Sequence, residues 1–149
     1  MKAVAVDLDG ALGDTRALWR AWLEDASRRL RVELAVPEDR GEAAVVLDGL
    51  IGNWRMLLER FAEDHAPVYL RPNGDATAAL RRLQAAGLGL GVFTDAPEEL
   101  ARVALAHLGA ARRLDALETG AHALDRLRGR LGDDVAIVRT ADELTEAAS

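Results

Sequence analysis

The chain has 149 residues, half of them hydrophobic and 30% charged, which is enough for one sizeable buried core and leaves no segment with the composition of a disordered tract. Its net charge of −6, with arginines scattered as singles and pairs, lacks the concentrated basic face a nucleic-acid partner demands. It has no cysteine, hence no disulfide or thiolate chemistry, and no apolar run of signal-peptide or membrane-spanning length. The expected setting is the cytoplasm, with no membrane partner.

Ala3 to Val6 is a short apolar run ending at Asp7, the pattern of a buried parallel strand. From Asp14 to Ala66 the spacing predicts helices only, roughly 15–31 and 53–66, with a less regular piece from Glu38 to Leu50. Trp19, Trp22 and Leu23 in the first of these, and Trp54, Leu57, Leu58 and Phe61 in the last, recur at helical spacing and are expected to pack together. Pro67 and Pro72 bracket the return to the sheet. Asn73 is placed to cap a helix through Ala86, and a second strand runs from Leu88 to Phe93, ending at Thr94. Pro97 begins the next helix, and a weaker strand follows at Leu114 to Leu117. The last strand is Val135 to Val138, followed by Arg139 and a helix that Thr140 can cap. Strands alternating with helices imply an α/β fold with a parallel sheet.

Ligands of open α/β sheets bind beyond the carboxyl ends of the strands. Asp7 and Asp9, two residues apart in an extended segment, project the same way, and Gly10 lets the chain turn after them. Carboxylates that close repel unless a cation lies between them or one is protonated, a pairing suited to Mg²⁺ or to separate nucleophile and acid roles.

The run Asp7-Leu8-Asp9-Gly10-Ala11-Leu12-Gly13-Asp14-Thr15 resembles the first motif of the haloacid dehalogenase superfamily, and Thr94 at the end of the next strand resembles the second. The stretch from Arg71 to Leu108 is similar to phosphoglycolate-phosphatase-like members. The resemblance implies a Rossmann-like sheet of order 4-1-2-3, with a core of residues 1–13 and 67–149 and a small helical cap, 14–66, inserted after strand 1. It also implies a phosphatase-type hydrolase acting on a small phosphorylated metabolite. Asp7 would be the nucleophile, forming an aspartyl-phosphate. Asp9 would be the acid and base, with Thr94, Asp95 and Gly10 around the phosphate. Mg²⁺ would be held by Asp7, the backbone carbonyl of Asp9 and a third acid.

The chain departs from that pattern in two places. Its only lysine is Lys2, so the family's third-motif lysine is absent; an arginine such as Arg126 or Arg128 could substitute in charge, though with a different fork and stem geometry. After the last strand, where the fourth motif supplies acids, it has Arg139-Thr140-Ala141. Asp142 and Glu143 either reach back toward a metal or form the first turn of the final helix, the favoured reading. Gly132-Asp133-Asp134 precedes its strand and is expected far from Asp7, at the other end of the sheet. Asp95 either lies beside the phosphate or caps the helix at Pro97, and Arg139 is expected to fill the vacated metal region and neutralise Asp7 and Asp9. The alternative function is a catalytically impaired relative that binds a ligand or a partner. Nothing in the sequence bears on oligomeric state.

Overall fold

The computed structural model describes residues 1–149. Strand β1 (Ala3–Asp7) lies between β2 (Gly89–Thr94) and β4 (Val135–Val138), and β3 (Ala116–Thr119) pairs with the outer side of β2, all parallel. The order is β3-β2-β1-β4, which read from the β4 edge is 4-1-2-3. Each parallel step needs a crossover, and helices supply them. Between β1 and β2 come α1 (Arg16–Leu30), α2 (Arg40–Leu50), α3 (Trp54–Tyr69) and α4 (Gly74–Ala85). Then α5 (Glu98–His107) leads to β3, α6 (Ala123–Leu131) to β4, and α7 (Ala141–Ala147) follows β4.

The period-two alternation of a strand divides the core between the two sheet faces. Val4, Val6, Leu90 and Val92 join residues of α1–α5 and α7 in one cluster of 31 buried residues. Ala5, Phe93, Ala116, Ala123 and Leu127 form the thinner cluster on the opposite face, under α6. Helix α6 lies so close there that a Cβ on Gly91 would come within 2.6 Å of Leu127 Cδ1. The tryptophans expected to pack together do so, with Trp19 and Trp22 ring centroids 5.4 Å apart and Trp22 and Trp54 6.0 Å apart.

Three elements differ from the sequence reading. The irregular piece expected from Glu38 to Leu50 is the regular helix α2, because Asp39 accepts a hydrogen bond from the Glu42 amide at 2.9 Å and so caps its first turn. Helix α3 runs through Pro67 to Tyr69 instead of stopping at 66, a proline in the last turn sacrificing a single backbone hydrogen bond. Strand β3 begins at Ala116 rather than Leu114, since Asp115 is used as a clasp: its amide donates to Leu90 O and its carboxylate accepts from Leu90 N, both at 2.8 Å. No helix is long and apolar enough to cross a membrane.

Candidate active site

The register places the strand ends side by side. Asp7 pairs with Phe93 and Val6 with Val138, so Thr94 and Arg139 lie just beyond the neighbours of Asp7 and Val6. After Asp7 the chain makes one wide turn, Leu8–Leu12, closed by Gly13 N donating to Leu8 O and Gly10 N donating to Gly13 O. Gly10 has φ +117°, and a Cβ there would lie 2.6 Å from the Arg139 carbonyl oxygen, so the close approach of this turn to the end of β4 requires glycine. Asp7 Oδ1 accepts from the Asp9 amide, which fixes the two carboxylates relative to each other.

Asp9 is saturated. Its Oδ1 accepts from Thr15 N and Thr15 Oγ1, each at 2.7 Å, and its Oδ2 accepts from Thr94 Oγ1 at 2.8 Å and Arg40 Nη2 at 2.6 Å. A carboxylate offers about four lone-pair sites, and all are taken. Arg40 arrives from the first turn of α2, on the same inward stripe as Ala43 and Leu47, and its side chain is 3% exposed. Its Nη1 donates to Thr15 Oγ1, its Nε and Nη2 donate to Asp95 Oδ1 at 3.0 and 2.8 Å, and its backbone amide donates to Asp95 Oδ2.

Asp7 is left with one free oxygen. The nearest cation is the Arg139 guanidinium, Nη1 3.7 Å from Oδ2, half exposed and lying over the Phe93 ring. Burial, and then the adjacent Asp9 charge, push the Asp7 carboxyl up to about 6, while the Asp9 amide and Arg139 pull the other way. These groups line an open cleft of about 440 Å³ whose far wall is the Gly120–Leu124 segment.

Asp7, Asp9 and Thr94 thus converge, joined by Arg40 and Thr15. Thr15 lies within the motif that carries the resemblance, but the sequence alone assigns it no role. The signal for Arg40 is the Asp39-Arg40-Gly41-Glu42 helix start with the arginine in register with Ala43 and Leu47. Asp95 does not cap α5, whose N-cap is Pro97; it turns to Arg40 instead. The Gly10 amide is spent on Gly13 O and is not offered to a phosphate. Arg139 neighbours Asp7 but makes no ion pair with Asp9, which Arg40 has taken. Asp142 lies in the first turn of α7 and does not line the cleft; Glu143 bonds back to Thr140 Oγ1 in a capping arrangement. Arg126 is held by Glu118 and by the carbonyls of Thr119 and Ala121 rather than by Asp7. Asp134 binds the N-terminal amine and, through its carbonyl, Lys2 N, at the opposite end of β1 as expected.

The donor set does not fit Mg²⁺. The ion wants six oxygens, commonly one or two carboxylates plus waters and phosphate. Here the Asp9 carboxylate has no free lone pair, Asp95 is engaged by Arg40, no three acids converge closely enough to hold an ion, and guanidinium groups already stand beside both motif aspartates.

No protein-family model matches the chain, and no curated protein matches it in sequence. Solved structures do match. A candidate beta-phosphoglucomutase from Thermotoga maritima is 20% identical, with 99% of this chain and 82% of that one covered at a TM-score of 0.60. A HAD phosphatase from Thermococcus onnurineus is 19% identical, with coverage of 99% and 97% and a TM-score of 0.56. A point mutant of CbbY from Rhodobacter sphaeroides, in complex with xylulose-(1,5)bisphosphate, is 16% identical, with coverage of 99% and 83% and a TM-score of 0.66. At these identities the likeness is one of fold alone: the chain shares the architecture of these three proteins.

Proposed function

We propose that this chain is a haloacid-dehalogenase-like protein whose cleft, beneath a cap formed by residues 14–66, binds a small phosphorylated molecule without carrying Mg²⁺-dependent phosphoryl transfer through. The carrying observation is the contact of Arg40 Nη2 with Asp9 Oδ2 at 2.6 Å. Hydrolysis through Asp7 needs two things: Asp7 Oδ2 must attack phosphorus as the ester P–O bond breaks, and the departing oxygen must receive a proton from Asp9. With all four acceptor sites of Asp9 filled, none is directed at a leaving group. Thr94 has likewise committed its hydroxyl proton to Asp9. Phosphoryl transfer depends on positioning and on cations that bridge nucleophile and phosphoryl oxygens. Arg139, fixed to its own side chain, can attract an anion but cannot bridge in that way.

Binding remains served by the half-exposed Arg139 and by a cleft large enough for a small metabolite. A cytoplasmic setting accords with the absence of cysteine. The test is a broad panel of phosphomonoesters, assayed for hydrolysis with and without Mg²⁺ and for ligand-induced thermal shift. The expected result is no metal-dependent turnover, with a thermal shift from at least one phosphomonoester that Arg139→Ala abolishes. Robust Mg²⁺-dependent hydrolysis that disappears in Asp7→Asn would contradict the proposal.

A further inference from the structure

A cation in the first turn of a helix faces the positive end of the helix dipole, where acids are preferred. Arg40 stands there nonetheless, 3% exposed, and every nitrogen of its guanidinium is committed to Asp9, Asp95 or Thr15. Its Nη2 lies 2.6 Å from an oxygen of Asp9 and 2.8 Å from an oxygen of Asp95, directly between two carboxylates from different strand ends. We propose that Arg40 is the resident cation of the cleft: it neutralises Asp9 and Asp95 in place of a bound metal ion and thereby latches α2 over the strand ends.

The latch follows from where Arg40 is rooted. Its backbone amide also donates to Asp95 Oδ2, so the carboxylate after β2 grips both the main chain and the side chain of the first residue of α2. The next residue is Gly41, where a Cβ would meet Ala121 N at 2.7 Å; the start of α2 therefore rests on the loop after β3 as well. Two strand-end loops hold the same helical turn, one by charge and one by backbone contact. An arginine suits this position where lysine would not, because the planar fork serves two carboxylates and a hydroxyl at fixed angles. Four acids, Asp7, Asp9, Asp39 and Asp95, then share the cleft with three guanidinium groups, Arg16, Arg40 and Arg139, and the cleft is largely neutralised by its own side chains. The proposal shares the Arg40–Asp9 contact with the functional reading above but concerns charge and closure, so absence or presence of turnover does not decide it.

The test compares the wild type, Arg40→Met and Arg40→Met/Asp95→Asn by thermal unfolding in EDTA and in millimolar Mn²⁺, with hydrogen exchange followed across α2. The wild type is expected to be indifferent to Mn²⁺. Arg40→Met should melt about 10 °C lower, since it leaves the largely buried Asp9 carboxylate and its half-exposed neighbour Asp95 uncompensated. Part of that loss should return on adding Mn²⁺ or the second substitution. Amide exchange in the first turn of α2 should accelerate while β1 and β2 keep their protection. If Arg40→Met does not fold, Asp95→Asn alone reads the latch, through faster exchange confined to that turn. A wild type that Mn²⁺ stabilises, an Arg40→Met protein whose loss neither remedy relieves, or exchange in Asp95→Asn no faster at α2 than in the wild type overturns the proposal.

Discussion

Replacing Asp7 by asparagine should make the protein more stable at neutral pH. The native Asp7 carboxyl is pushed to about 6 from a usual value near 3.8, chiefly by burial, so the folded state holds its proton more tightly than the unfolded chain does. Below 3.8 both states are protonated and Asp7 costs nothing; as pH rises through about 6 the native carboxyl must ionise in place, and that stability is lost. A rise of this size corresponds to about 3 kcal/mol at full strength. With the carboxylate partly in contact with solvent, screening reduces it to about 1–2 kcal/mol. Asparagine keeps an oxygen to accept the Asp9 amide, so the geometry of the turn is preserved. Urea unfolding of the two proteins at about pH 4 and about pH 7.5 measures the effect, with Asp7→Asn ahead by about 1–2 kcal/mol at the higher pH and nearly level at the lower. Equal stability at both, or a less stable variant at about pH 7.5, refutes the assignment of burial as the dominant influence on Asp7.

Gly10→Ala should lose about 2–4 kcal/mol in the same assay, because a Cβ at φ +117° would lie 2.6 Å from the Arg139 carbonyl and the ends of β1 and β4 would have to separate. Thr140→Ala removes the hydroxyl that accepts from the Glu143 amide and should cost about 1 kcal/mol, read as a small drop in the urea midpoint without any change in the cleft.

The convergence of Asp7, Asp9 and Thr94 is legible in the sequence because each closes an apolar strand run, and parallel strands deliver their ends to one edge. By the same polarity Asp133 and Asp134, which precede their strand, fall at the far end. What the sequence does not disclose is the partner of Asp9. Arg139, adjacent to the strand, is the nearer candidate along the chain, whereas Arg40 reaches Asp9 across 31 residues by way of a helix that reads as irregular. The Asp39 cap and the stripe of Arg40, Ala43 and Leu47 are both visible, yet an arginine on an apolar stripe ordinarily reads as a charge bordering it rather than one buried within it. The helix-capping alternative for Asp95 fails for a related reason: capping is a local interaction that sequence suggests readily, and the competing ion pair spans 55 residues. The start of β3 moves because Asp115, an unpromising strand residue by propensity, satisfies both backbone groups of Leu90.

The function proposed for this cleft turns on whether Asp7 accepts a phosphoryl group. Incubating the protein with acetyl phosphate and Mg²⁺, quenching in acid and weighing the intact chain by mass spectrometry answers that question. An unmodified mass is expected for both the wild type and Asp7→Asn. A phosphoryl increment on the wild type that requires Mg²⁺ and is missing from Asp7→Asn would show that the Arg40 contact leaves the nucleophile competent and that the cleft is catalytic after all.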